Sequence, residues 1–205
     1  MTKTEKFWDR MARGYNNPNY KPSGVALKTL EASLPYLKNN QSVLDFGCGP
    51  GTLSLEIAKH VATVTGVDIS SGMISVANSL AKDQCNSNVV FLQASIFDNS
   101  LKEQSFDVIV AFNVLHFVND EKSVSRLNSL LKPGGIFISA TACVKEKVSP
   151  LRILMAPLKW LGIIPPMQYF TLRKLEDIIK KGNFKILETQ KLSGLPDYFI
   201  SAQKN

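Results

Sequence analysis

The chain has 205 residues, 44% of them hydrophobic and 20% charged, which suits one globular domain with a substantial core and excludes a disordered or low-complexity architecture. Its formal net charge of +7 is spread along the sequence, with local lysine pairs only at Lys145 and Lys147 and at Lys180 and Lys181. That distribution reads as a solvated surface rather than a nucleic-acid footprint.

At the N-terminus, MTKTEKFWDR is charged and lacks an apolar h-region, so no secretory signal is expected and a cytoplasmic location follows. Phe7, Trp8, Met11 and Tyr15 space like one face of a helix, and a polar loop follows over 16–22. Val43, Leu44 and Phe46 suit a buried strand over 42–46, while Leu53, Leu55, Ile57 and Ala58 suit the packed face of a following helix. His60, at the end of that helix, reads as structural. Gly47, Gly49 and Gly51 lie between strand and helix, where the turn can take positive φ and a ligand can approach the backbone near helix N–H groups.

A second strand over 63–68 ends in Asp68, and Ser70 reads as the N-cap of a helix over 72–80 carrying Met73, Ile74, Ala77 and Leu80 at helical spacing. Further strands are expected over 89–93, 107–112, 136–141, 184–191 and 198–203, with the last two paired antiparallel across LSGLPD. Alternating strands and helices predict an α/β fold, a mainly parallel sheet with helices on both faces. Cys48, Cys85 and Cys143 are odd in number and widely spaced without C-x-x-C, which argues for reduced thiols and against a disulfide framework or a zinc site. No metal is expected.

In such open sheets a ligand lies beyond the carboxyl ends of the strands, where the strand order reverses. A dinucleotide turn would need glycine at position 52, which is Thr52. Asp45 would repel a pyrophosphate and accept from an ammonium group, whereas Asp68 suits the ribose of either ligand.

The runs DFGCGPGT and GVDIS resemble the cofactor site of class I, Rossmann-like S-adenosylmethionine-dependent methyltransferases. SFDVIVAFNVLHFV resembles the family's fourth strand and the loop after it, LKPGGIFI resembles the turn into its fifth, and FWDRMARGY resembles the N-terminal segment of its small-molecule and quinone methyltransferases. The resemblance implies a three-layer α-β-α sandwich with a seven-stranded sheet whose last strand is reversed. It implies a single methyltransferase domain over 1–205, with an N-terminal lid over 1–24 and an acceptor-side insertion over 144–170. The implied cofactor is S-adenosyl-L-methionine, leaving as S-adenosyl-L-homocysteine.

By the same resemblance Asp68 binds the ribose, Ile69 and Met73 pack on the adenine, Gly47, Cys48 and Gly49 approach the methionine moiety, and Asp45 serves the ammonium directly or through water. Asn113 stands at the end of the fourth strand beside them. Ser95 occupies the place of a common family Asp that accepts from the adenine amino group, so that contact falls to Ser95 with the backbone of Ile96, or to Asp98 as an alternative. Trp8, Tyr15, Tyr20 and Lys21 would approach the cofactor carboxylate or the acceptor, and Tyr169 is a further acceptor-side candidate.

Methyl transfer needs chiefly position, because alignment at about 3 Å can supply on the order of 7 to 11 kcal/mol. A base is needed only if the acceptor loses a proton; His116 is the candidate, and the alternative is a histidine that caps or packs the next loop. The grip on a base amine used by nucleic-acid amino-methyltransferases is absent, since Val114, Leu115 and His116 follow Asn113. Leu151, Leu154, Met155, Leu158 and Leu161 recur at helical spacing in the insertion, interrupted by Pro157, Pro165 and Pro166. That segment suits burial as a lid, or, edged by Arg152, Lys159 and Trp160, peripheral contact with a bilayer through 150–170. The expected function is methyl transfer to a small, apolar or aromatic acceptor that is quinone-, phenol- or lipid-like. The alternatives are a nicotinamide-dependent oxidoreductase on a similar fold and a non-catalytic S-adenosylmethionine-binding module.

Overall fold

The computed structural model describes residues 2–15, 17, 20, 22–117, 121–143, 168–192 and 197–205. Lys21, most of the expected insertion (144–167) and the turn over 193–196 lie outside them. The chain runs through α1 (Lys3–Tyr15), α2 (Gly24–Ser33), β1 (Ser42–Phe46), α3 (Thr52–Ile57), β2 (Thr63–Asp68), α4 (Ser71–Asp83), β3 (Val89–Gln93) and β4 (Phe106–Phe112). It continues with α5 (Glu121–Leu130), β5 (Leu131–Ala142), α6 (Leu172–Lys181), β6 (Phe184–Lys191) and β7 (Asp197–Lys204).

The strands form one seven-stranded sheet in the order β3-β2-β1-β4-β5-β7-β6. β1 to β5 are parallel where they pair, and β7 runs antiparallel to both β5 and β6, as the sequence predicts. Period-2 alternation sorts the central strands between two cores. Leu44, Ile109, Ala111 and Phe137 face the layer of Val124 and Leu127 from α5 and Leu175 and Ile179 from α6. Val43, Val108, Val110 and Ile138 face the other layer with Ile57 and Ala58. Near-continuous apolar runs in β1 and β4 follow from this burial on both faces. Order reverses between β1 and β4, so the loops leaving those two strands open a crevice at the carboxyl edge.

Two expectations need correction. β5 begins at Leu131, five residues before the expected start, because Leu131 pairs with Phe106 ahead of a register shift between Phe106 and Val108. Met11 does not share the buried face of α1: it is 42% exposed, and Ala12 is the buried residue. The helix approaches α4 too closely for a large side chain, since a Cβ built on Gly72 would lie 3.0 Å from Ala12 Cβ. Among the described residues no helix is long and apolar enough to cross a membrane.

Candidate functional site

The turn from β1 into α3 holds Gly47, Gly49 and Gly51 at φ of 73°, 54° and 78°, all in the left-handed region that favours glycine. Their surroundings differ. A Cβ on Gly51 would meet Phe91 Cζ at 2.5 Å, so the protein's own packing demands glycine there. A Cβ on Gly49 would meet nothing within 4 Å, and that glycine fronts open space in the crevice.

Two carboxylates flank the turn. Asp45 is 2% exposed, and its Oδ2 accepts a 2.5 Å hydrogen bond from Ser54 Oγ. Burial, with the negative charge of Asp68 nearby, pushes its pKa up to about 7. Asp68 accepts from the Gly49 N–H at 3.0 Å through Oδ2 and from the Ser70 N–H at 2.8 Å through Oδ1. Burial raises its pKa more strongly than those backbone bonds lower it. Each oxygen keeps a further lone pair for a ligand. The Cys48 thiol between them is pushed up by burial and by both acids, so it stays protonated.

A cavity of about 430 Å³ opens over this turn, within the range of small-molecule sites. Asp45, Gly47, Cys48, Gly49, Asp68, Ile69 and Met73 line it, together with Trp8, Tyr15, Tyr20, Val114, Phe117 and, at the end of β4, Asn113. Trp8 meets Phe117 edge to face at 5.4 Å, and Tyr15 meets Tyr20 at 4.8 Å, both arrangements favoured by the ring quadrupole. Asn113 takes a positive φ of 55° while its N–H donates to the Ala140 carbonyl, which turns the chain out of the sheet.

Helix α1 is fastened to the opening turn of α4. Asp9 Oδ1 accepts from Ser70 Oγ at 2.6 Å and from the Gly72 N–H at 2.9 Å. The Ser70 hydroxyl bond is the largest influence holding the Asp9 pKa below the usual carboxylate range. Ser70 Oγ in turn caps α4 by accepting from the Met73 N–H at 3.0 Å.

A family described as "Methyltransferase domain" matches residues 37–189, three quarters of the chain. The chain belongs to that family. An S-adenosylmethionine-dependent methyltransferase from Methanosarcina mazei is 25% identical with a TM-score of 0.67, covering 83% of this chain and 95% of that one. Another from Aquifex aeolicus is 17% identical and shares the fold at a TM-score of 0.75, over 96% of this chain and 98% of that one. The ubiquinone biosynthesis O-methyltransferase of Coxiella burnetii is 35% identical over 129 residues, 62% of this chain and 54% of that protein. The chain thus spans about half the length of the curated relatives it matches. It carries that family's domain on a Rossmann-like fold, one that its structural neighbours use with S-adenosylmethionine.

The residues present fit that cofactor: Asp45 brings a buried acid to the cavity, and Gly49 is the one turn glycine with open space before it. Not every expected residue lines the cavity. Ser95 is exposed and spends its Oγ accepting from the Phe97 N–H at 3.3 Å, while Ile96 is 2% exposed in the core. Ala94, one residue earlier, lines the cavity instead. Asp98 is exposed and begins the next loop, accepting from the Ser100 N–H.

His116 is likewise outside the lining. It is 5% exposed, its ring lies 5.7 Å from that of Phe170, and its Nδ1–H donates to the Gln168 carbonyl at 3.1 Å. The Gln168 N–H donates back to the His116 carbonyl, and burial lowers the His116 pKa. The residue therefore packs against the segment at 168–170, and it lies outside the cavity lining. Tyr169 is half-buried and lines no part of the cavity. His60 is exposed. Sequence reasoning missed Ser54, Asp9, Val114 and Phe117. Ser54 had a signal, a small polar residue on the otherwise apolar face of α3.

Proposed function

We propose that the chain is an S-adenosylmethionine-dependent methyltransferase that acts on a small, apolar or aromatic acceptor of quinone, phenol or lipid type. The carrying observation is the composition of the cavity lining, which gathers two acids with Trp8, Tyr15, Tyr20, Val114 and Phe117. Among the described lining residues there is no lysine or arginine to recognise a phosphate-bearing acceptor. The name of the relative from Coxiella burnetii, a ubiquinone biosynthesis O-methyltransferase, supports the same reading.

In this reading Asp68 accepts from the ribose hydroxyls, Ile69 and Met73 flank the adenine, and Ala94 lies at its edge. Gly47, Cys48 and Gly49 face the methionine moiety, and Asp45 in its charged form accepts from the ammonium. S-adenosylmethionine supplies a sulfonium-activated methyl group with a neutral thioether as leaving group. The protein's part is to hold and to dry the site. Helix α1 with residues up to 24 acts as the lid, the aromatic wall excludes water, and Asn113 projects from the end of β4 between cofactor and acceptor. Since His116 packs away from the lining, the acceptor loses its proton to solvent or to its own equilibrium rather than to that ring.

The test is methyl transfer from labelled S-adenosylmethionine to a panel of quinols, phenols, amines, lipids and RNA. Label in a quinol, phenol or lipid supports the reading. Label confined to RNA or to a phosphorylated acceptor contradicts it.

A further inference from the structure

We propose that Asp9 is a positioning residue that couples the seating of α1 to the orientation of Asp68, so that the cofactor is held only when the helix is docked. This rests on the reading of Asp68 as the ribose acid. Asp9 does not line the cavity, yet it stands one residue after Trp8, which does. Its Oδ1 gathers bonds from Ser70 Oγ at 2.6 Å, from the Gly72 N–H at 2.9 Å and, at 3.5 Å, from Ser71 Oγ. Two of these donors belong to the first turn of α4, a 13-residue helix whose partial positive end faces the carboxylate.

The bonded chain runs onward without a gap. Ser70 Oγ, held by Asp9, accepts from the N–H of Met73, whose side chain lines the cavity. The Ser70 N–H donates to Asp68 Oδ1 at 2.8 Å, and Asp68 Oδ2 accepts from the Gly49 N–H at 3.0 Å. One serine thus receives the lid acid through its hydroxyl and steadies the second acid through its backbone. Small residues make the approach possible: Ala12 is 4% exposed against Gly72, where a Cβ would come within 3.3 Å of Asp9 Cα. Undocked, α1 withdraws Thr2, Thr4, Trp8 and Tyr15 from the cavity wall together.

The outer side of α1 carries Lys6, Arg10 and Arg13, which make trypsin cleavage a direct report of docking. Wild type, Asp9→Ala, Asp9→Asn and Asp68→Ala are compared by calorimetry with S-adenosylhomocysteine and by timed trypsin digestion with and without it. The expected result is about tenfold weaker binding in Asp9→Ala, with cleavage in α1 fast whether or not the ligand is present. In wild type the ligand slows that cleavage severalfold. Asp9→Asn keeps an acceptor oxygen for Ser70 and Gly72 and recovers most of the protection. A lower melting temperature in Asp9→Ala with wild-type affinity and wild-type cleavage, while Asp68→Ala binds weakly, overturns the coupling and leaves the ribose assignment standing. Unchanged affinity in Asp68→Ala overturns the ribose assignment and the coupling with it.

Discussion

Ser54 Oγ donates a 2.5 Å hydrogen bond to Asp45, the only one of the two cavity acids that is almost wholly removed from solvent. A single hydroxyl offsets little of the cost of burying a charge, which is why the Asp45 pKa stands at about 7. In the unfolded chain an aspartate titrates near 3.9. Between about pH 4 and pH 7 the folded protein therefore holds one more proton, and its stability falls as pH rises through that window, by on the order of 2 to 4 kcal/mol. Asp45→Asn keeps the Ser54 bond and removes the charge. From pH 5 to pH 8 the wild type is expected to lose stability relative to the variant, which the difference between their urea midpoints at the two values reads.

The same group makes cofactor binding pH-dependent. A ligand ammonium favours the charged carboxylate, so affinity for S-adenosylhomocysteine is expected to rise from pH 6 to pH 8 and to level above the Asp45 pKa. Asp45→Asn should bind more weakly at pH 8 and show a flat profile. A flat profile in the wild type would remove Asp45 from ammonium recognition.

Gly49 and Gly51 separate ligand space from packing. Gly51→Ala places a Cβ 2.5 Å from Phe91 Cζ at a φ of 78°, and is expected to cost about 2 to 5 kcal/mol of stability. Gly49→Ala meets no neighbour, and costs about 1 to 2 kcal/mol for its φ of 54° alone. Yet Gly49→Ala should lose tenfold or more in cofactor affinity. Denaturation curves and calorimetry on the pair read both effects.

His116→Gln tests whether the ring serves packing or catalysis. Loss of the bond to Gln168 and of the ring contact with Phe170 should cost about 1 to 3 kcal/mol, with cofactor affinity unchanged. Because burial lowers the His116 pKa, this residue's contribution to stability is full above about pH 6.5 and declines as pH falls below it, opposite in sign to that of Asp45. The variant should lack that decline. A variant of wild-type stability that has lost methyl transfer in a pH-dependent way would restore the histidine as a base.

The limits of β1, β2, β3 and β6 were legible in the sequence: short apolar runs mark the buried β1 and β2, while β3 and β6, at the exposed sheet edges, are marked by the polar and glycine turn residues around them. The acids at the ends of β1 and β2 were legible for the same reason: a charge closing such a run has a carboxyl-edge site to occupy. The face of α1 was not, since Met11 and Ala12 are both apolar and only the close approach to Gly72 selects the smaller. Ser95 and His116 each follow a strand toward the crevice, but Ser95 bonds within its own turn, and His116 bonds to Gln168, a partner 52 residues away that no local pattern shows. Asp9 carried no local signal, as its partners lie more than sixty residues away in α4.

The central claim is that S-adenosylmethionine sits over the β1 turn with its ribose on Asp68. Calorimetry of S-adenosylhomocysteine against wild type and Asp68→Ala tests it most directly. Saturable binding to the wild type and a loss of about ten- to a hundredfold in the variant, roughly 1.5 to 3 kcal/mol, is the predicted result. Equal affinity in the two proteins, with both folded, would contradict it.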